Sequence, residues 1–236
     1  MLSLPFEVML ALRYLRPKRT FVSVITLICV MGVMLGVSVL IIVISVMSGF
    51  DHSLRDKILG FNAHLQVSNQ PRRVKDYHGL AREVEKNKDV VAVSPFVIGQ
   101  VLIETQPDVG EPVSVAQYVR GFDPAAEGRV STLTNSVVEG EMNLRGNRIL
   151  VGSSFATEMR LHVGDRLSLY APRDLQELKK AHNSGNGEAP LPEDYLISGI
   201  FQVGYYEYDS AFILMSLGNA QDLFDLGDSV NGLWLG

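Results

Sequence analysis

Residues 21–47, FVSVITLICVMGVMLGVSVLIIVISVM, run for 27 positions without a charge, a proline, an asparagine or a glutamine. Lipid solvates such side chains but offers no partner to a bare backbone amide, so a run of this length must satisfy its own N–H and C=O groups as a helix. That helix would be about 40 Å long at ~1.5 Å per residue, against a hydrocarbon core of ~30 Å. Two other readings compete. Core helices of water-soluble domains are rarely so long and so uniformly apolar. A cleaved signal peptide has an apolar core of about 7–15 residues and a small-residue cleavage site, whereas this run is longer and ends in Val-Ile-Ser-Val-Met-Ser. The expectation is a transmembrane helix over 21–48.

Charge divides around that run. Residues 1–50 hold four basic side chains (Arg13, Arg16, Lys18, Arg19) and one acid, Glu7. Of the 21 basic and 26 acidic residues in the chain, 17 and 25 therefore lie beyond it, a net charge of −8. Basic residues stay on the cytoplasmic side of a span, which puts the N-terminus inside and the large domain outside, in the periplasm of a Gram-negative cell. An acidic outer domain is a poor nucleic-acid binder, because it has few cations to replace condensed counterions. The single cysteine, Cys29, lies within the span, so the outer domain must stand on its core without disulfides.

Four segments follow. Residues 1–20 read as a cytoplasmic basic segment. Pro5 suits a first helical turn, and Phe6, Met9, Leu10 and Leu12 supply the apolar face of a short helix lying on lipid, or of a simple charged flank. Residues 21–48 are the span, in which Cys29, Gly32 and Gly36 share one helical face. Small residues at that spacing let a partner helix approach closely. Residues 49–62 continue as a membrane-exit helix with Gly60 as its stop. Residues 63–236 form the outer domain, whole or cut short at its C-terminal end.

Within that domain, strands are expected at 64–67, 90–104 (with breaks or bulges at Pro95 and Gly99), 113–121, 148–151, 166–171, 195–203, 211–215 and 230–235. Helices are expected at 77–88, 153–160 and 216–226, the last capped by Ser216. Strands separated by short helices without strict alternation give a mixed α+β domain. The longest polar stretch, residues 172–194, joins two strands that look adjacent, so it is an outsized hairpin connection. Such loops are disordered or functional.

Chemistry-bearing patterns are lacking. The five histidines show no HxxxH or HExxH spacing, and there is no GxxxxGK[ST] or GxGxxG phosphate loop. Gly152-Ser153-Ser154-Phe155 is not a nucleophile elbow. Asp222, Asp225 and Asp228 read as a solvated face. No catalytic group, metal site or cofactor of its own is expected.

Taken in order, ALRYLRPKR, VISVMSGFDHSLRDKILGFNAHLQV, VRGFDP, ILVGSSFATEMRLHVGDRLSLYAP, ISGIFQVGYYEYDSAFILM and AQDLF resemble the lipoprotein-releasing permeases of the LolC and LolE type. These fall within the wider group that includes MacB exporters and FtsX. The resemblance implies a MacB-type periplasmic core domain behind the first of four spans in the inner membrane. It also implies a LolD-type cytoplasmic ATPase that hydrolyses ATP, a second permease subunit, a soluble LolA-type periplasmic carrier, lipoprotein cargo and contact with membrane lipids. The family's carrier-recruiting hook corresponds to residues 172–192, with Pro172, Arg173, Asp174, Leu175, Leu178, Pro190, Leu191 and Pro192 as its candidate contacts. The later spans and the segment that would meet the ATPase do not follow residue 236, so a fragment of a longer permease and a split subunit both remain open. So do a MacB- or FtsX-like mechanotransmission permease and a bitopic adhesion or sensor protein. Replacing Gly32 and Gly36 with Ile should weaken assembly with partner spans; unchanged co-purification would count against a packed face.

Overall fold

The computed structural model describes residues 6–15, 21–61, 63, 65–68, 73–106, 111–174 and 192–236. The chain divides into two compact units, Met1–Ser53 and Leu54–Gly236.

The first unit is helical. Helix α1 (Phe6–Leu15) has Glu7 in its first turn and Arg13 in its last, each matched to the helix dipole at that end. Helix α2 (Phe21–Phe61) runs 41 residues without interruption. Gly60, expected as its stop, lies inside it, because hydrogen bonding continues through to Phe61. The portion Val24–Asp51 is long and apolar enough to cross a membrane, and every side chain from residue 24 to 50 is exposed rather than packed in a protein core. Ser38 Oγ donates to the Met34 carbonyl at 2.7 Å, so the hydroxyl is satisfied within the helix.

The second unit is a mixed α+β domain. In chain order it contains β1 (Leu65–Ser68), α3 (Tyr77–Val84), β2 (Val93–Thr105), β3 (Ser114–Phe122), α4 (Pro124–Glu127), a 3-10 turn (Leu133–Asn135) and β4 (Val137–Gly140). There follow β5 (Arg148–Gly152), α5 (Ser153–Met159), β6 (Arg166–Tyr170), β7 (Glu193–Phe201), α6 (Tyr206–Ala211), β8 (Phe212–Ser216), α7 (Leu217–Leu223) and β9 (Gly232–Leu235).

The pairings close on themselves. β2 runs antiparallel to β3, β3 parallel to β8, and β8 antiparallel to β5. β5 runs parallel to β7, β7 antiparallel to β6, and β6 antiparallel to β2. The result is a ring of six strands, with β9 and β1 added beside the start of β2 and β4 beside β7. Alternation along each strand then separates an inside from an outside. Val101, Ile103, Val119, Ile149, Val151, Leu167, Leu169, Tyr195, Ile197, Ile213 and Met215 fill the inside together with residues of α5 and α7. Full burial of an aliphatic side chain of this size contributes roughly 1.5–3 kcal/mol each. Helix α7 lies tight against β3 because residue 121 is glycine: a Cβ there would stand 2.1 Å from the Ala220 Cβ.

Several expectations need correction. β2 passes through Pro95 and Gly99 with continuous pairing. Pro95 is tolerated because only β9 flanks it, and Gly99 because the Phe224 ring occupies the space where a side chain would stand. α4, β4 and α6 were not anticipated; at four to six residues they are too short to show a period.

Outside the ring, two smaller apolar clusters cover one end of the wall. One is built on Phe122, Leu133, Leu144, Leu150, Phe201 and Leu214, the other on Phe96, Val130 and Trp234. Between these lies a buried ion pair. Arg120 Nη2 donates to Glu127 Oε1 at 2.6 Å, and both side chains are fully buried. Ser94 Oγ and Ser131 Oγ also donate to the Glu127 carboxylate, each at 2.7 Å. The Arg120 guanidinium sits 5.4 Å from the centre of the Trp234 ring. Burial pushes the Arg120 pKa down, and the neighbouring Glu127 opposes that shift. The local sequence explains the meeting: Asp123 caps α4 by accepting from Ala125 N–H, Pro124 opens the helix, and the short turn returns Glu127 to β3. Glu127→Ala, which strands a buried cation, should cost about 3–5 kcal/mol. The joint replacement Arg120→Met with Glu127→Met should recover most of that loss. Urea unfolding followed through the only tryptophan, Trp234, reads both, and an unshifted midpoint in Glu127→Ala would refute the assignment.

Candidate functional site

The hairpin connection expected from the sequence leaves and re-enters the ring at one place. Leu169 pairs with Glu193 and Leu167 with Tyr195, so β6 and β7 form the two legs of a stem. On its other edge β6 is held by β2, from Leu102↔Tyr170 to Thr105↔Leu167. The inward side chains Leu167, Leu169 and Tyr195 are buried.

The outward side chains are stitched across three strands. Ser168 Oγ donates to Asp194 Oδ1 at 2.8 Å, and Gln106 Nε2 donates to the same oxygen at 2.7 Å and to Ser168 Oγ. The Tyr170 hydroxyl donates to Glu104 Oε2 at 3.0 Å; on the inward side of β7 the Tyr195 hydroxyl donates to Glu193 Oε2 at 2.8 Å. Desolvation first, and then the adjacent carboxylate, raise the pKa of both tyrosines, so both remain neutral donors.

At the departing leg the chain turns sharply. Asp174 Oδ2 accepts from Ala171 N–H at 2.8 Å, and the Asp174 N–H donates to the Ala171 carbonyl at 3.0 Å. The Arg173 guanidinium stands 3.4 Å from the Asp174 carboxylate. Pro172 and Arg173 then form one wall of a cleft of about 430 Å³, lined also by Arg73, Ile98, Phe224, Asp225 and Asn231. Arg73 Nη1 donates to the Asp225 carbonyl at 2.7 Å, and the Asn231 side chain accepts from Ile98 N–H at 2.8 Å. The cleft lies where β2 is flanked by neither β9 nor β6.

Of the expected contacts, Pro172, Arg173, Asp174 and Pro192 stand at this stem; Leu175, Leu178, Pro190 and Leu191 lie outside the described residues. Cys29, Gly32 and Gly36 belong to α2 in the other unit. Cys29 is exposed, and a Cβ at either glycine would meet nothing within 4 Å. Sequence reasoning missed Gln106, Ser168 and Asp194: only Ser168 lies within an expected strand, and Gln106 and Asp194 fall just outside the strands expected at 90–104 and 195–203. Among the described residues no group of three or more His, Cys, Asp or Glu side chains could hold a metal ion.

Residues 26–235 match the family described as MacB-like periplasmic core domain. The lipoprotein-releasing system transmembrane protein LolC of Xylella fastidiosa is 30% identical over 241 residues, covering 98% of this chain and 54% of that protein. The corresponding LolE of Haemophilus influenzae is 26% identical over 212 residues, covering 87% of this chain and 48% of that protein. The chain thus spans about half the length of these curated relatives. Among solved structures, the periplasmic region of MacB from Actinobacillus actinomycetemcomitans superposes with a TM-score of 0.45 at 8% identity, over 73% of this chain and 65% of that one.

The stem tyrosines set an alkaline limit. An unfolded tyrosine loses its proton at about pH 10, whereas the raised folded-state value keeps Tyr195 neutral. The stability linked to this difference is present below pH 10 and is lost as pH climbs through the folded-state value. Tyr195→Phe should flatten the fall in urea midpoint above pH 10 and lower the neutral-pH stability by about 1 kcal/mol for the lost hydrogen bond. An alkaline slope identical to that of the parent would contradict the assignment.

Proposed function

The chain belongs to the MacB-like periplasmic core domain family, and we propose that it is the membrane-anchored N-terminal half of a lipoprotein-releasing permease. The observation that carries this reading is the similarity to LolC across 98% of the chain, which takes in both the apolar helix and the α+β domain. On this reading residues 1–20 are cytoplasmic, 21–48 span the inner membrane, 49–62 leave it, and 63–236 are periplasmic.

The role is mechanical and adhesive rather than catalytic. A separate LolD-type ATPase in the cytoplasm hydrolyses ATP. A second permease subunit packs on the Cys29, Gly32 and Gly36 face, where small side chains allow close helix approach. The α2 helix, unbroken from Phe21 to Phe61, carries movement out of the lipid. The segment held by the β6–β7 stem recruits a LolA-type carrier, which receives the outer-membrane lipoprotein. The stem suits this role because its legs are fixed by paired backbone on both sides and by the Gln106–Ser168–Asp194 hydrogen bonds, which lowers the entropy lost on docking.

Photo-crosslinkers placed within residues 173–188 should capture a soluble periplasmic carrier in cells. Capture only from distant surface positions would sink the loop assignment. Depletion should also strand lipoproteins in the inner membrane; normal lipoprotein sorting on depletion would favour a MacB- or FtsX-like permease with other cargo.

A further inference from the structure

The ring of strands is open over one short interval of β2. Its even-numbered residues turn their backbone toward β9 and β6: the Phe96 carbonyl accepts from Asn231 N–H at 3.0 Å, and Ile98 N–H donates to Asn231 Oδ1 at 2.8 Å. Pairing with β9 stops at Phe96↔Gly232, because Val230, two residues earlier, exchanges both of its backbone bonds with Val74. Pairing with β6 stops at Leu102↔Tyr170, because the same register would set Pro172 against Gln100, and proline has no N–H to give. The Ile98 carbonyl and the N–H and carbonyl of exposed Gln100 therefore have no backbone partner among the described residues.

This open edge borders the cleft of about 430 Å³ beside the stem, to which Ile98 and Pro172 both contribute. The floor is apolar: Leu223 and Leu226 are buried, and the half-buried Phe224 ring lies where a side chain at Gly99 would stand. The rim is cationic, with Arg73 and Arg173 against one acid, Asp225. Arg73 uses Nη1 on the Asp225 carbonyl, and Arg173 turns Nε toward Asp174. A guanidinium carries five N–H donors, so both arginines keep donors for an incoming anion.

Edge, floor and rim together narrow the occupant. A fatty acid or a lipid headgroup would suit the floor and the arginines, but it brings no row of N–H groups for the Ile98 and Gln100 carbonyls. An extended polypeptide meets all three. Its backbone pairs with the open edge as an added strand, one apolar side chain rests on the floor, and acidic neighbours reach the guanidiniums. We infer that this slot takes up an extended segment of a partner polypeptide, an apolar residue between acidic ones, as a strand added against Ile98 and Gln100. The slot does so whatever cargo a permease of this kind moves, which takes it beyond the function proposed above.

The test uses the full chain in phosphatidylcholine nanodiscs and fluorescence anisotropy with a labelled octapeptide, Ser-Glu-Val-Glu-Leu-Glu-Val-Ser. Saturable binding is expected, weakened about tenfold or more when Arg73→Gln and Arg173→Gln are combined, as for the loss of charge-assisted hydrogen bonds. Arg173→Gln alone, at a side chain 48% exposed, should act in the same direction. The Trp234 unfolding midpoint shows that each variant is folded. A peptide with Lys in place of every Glu should not bind. Nor should one N-methylated at every backbone amide, which keeps its charges and side chains but cannot donate to a strand. Parent-like binding of either altered peptide, indifference to the arginine substitutions, or displacement of the peptide by an equal concentration of octanoate would each overturn the inference.

Discussion

The domain depends on one long strand having more neighbours than a short one could. β2 spans 13 residues and gives its whole central edge to β3. Its other edge is divided between β9 near the start and β6 near the end. The contact with β6 is what turns a curved sheet into a ring, because β6 is also paired with β7. Without it the inward side chains of β2 and β7 would border an open groove. With it they share one enclosed core, and the core needs no disulfide. The interval between β9 and β6 is filled by Phe224 and Asn231, and there the arginine-rimmed cleft lies.

The buried Arg120–Glu127 pair stands close by, since Arg120 is the β3 partner of Ile98, which lines that cleft. It costs desolvation that a pair of apolar side chains would avoid. In exchange for that cost the carboxylate gathers donors from β2, β3 and the turn after α4, so Ser94, 33 residues away, shares one arrangement with Arg120 and Ser131 close by in sequence. Tyr208, which with Phe212 packs against the Phe122 cluster, also acts electrostatically on Arg120.

Much of this was legible in the sequence. The apolar run of 27 residues, the strands around Val-Gly-Asp at 163–165 and Gly-Ile-Phe at 199–201, and the cap at Ser216 are local signals, and local physics reads them. Ring closure was not legible, because a strand's period fixes which side chains face inward and says nothing of which edges meet. Pro95 and Gly99 misled for a related reason: each looks like a break until the strand flanking Pro95 and the ring over Gly99 are known. Arg120 could have been suspected as a charge within Val-Arg-Gly-Phe, but its partner seven residues later required the tight turn through Pro124. The stem hydrogen bonds join residues as far apart as Gln106 and Asp194, beyond any sequence window.

The same closure bears on how the stem would carry a load. A pull at the far end of the connection draws β6 and β7 along their own axes, since both legs enter it side by side. The hydrogen bonds joining β6 to β2 and β7 to β5 lie across that direction, so they are strained together, in shear, rather than opened one after another from a free end. A hairpin at the edge of an open sheet could be peeled away rung by rung. Set into a ring, it behaves like a bolt rather than a zip, and force applied there reaches the whole barrel before any single strand lets go.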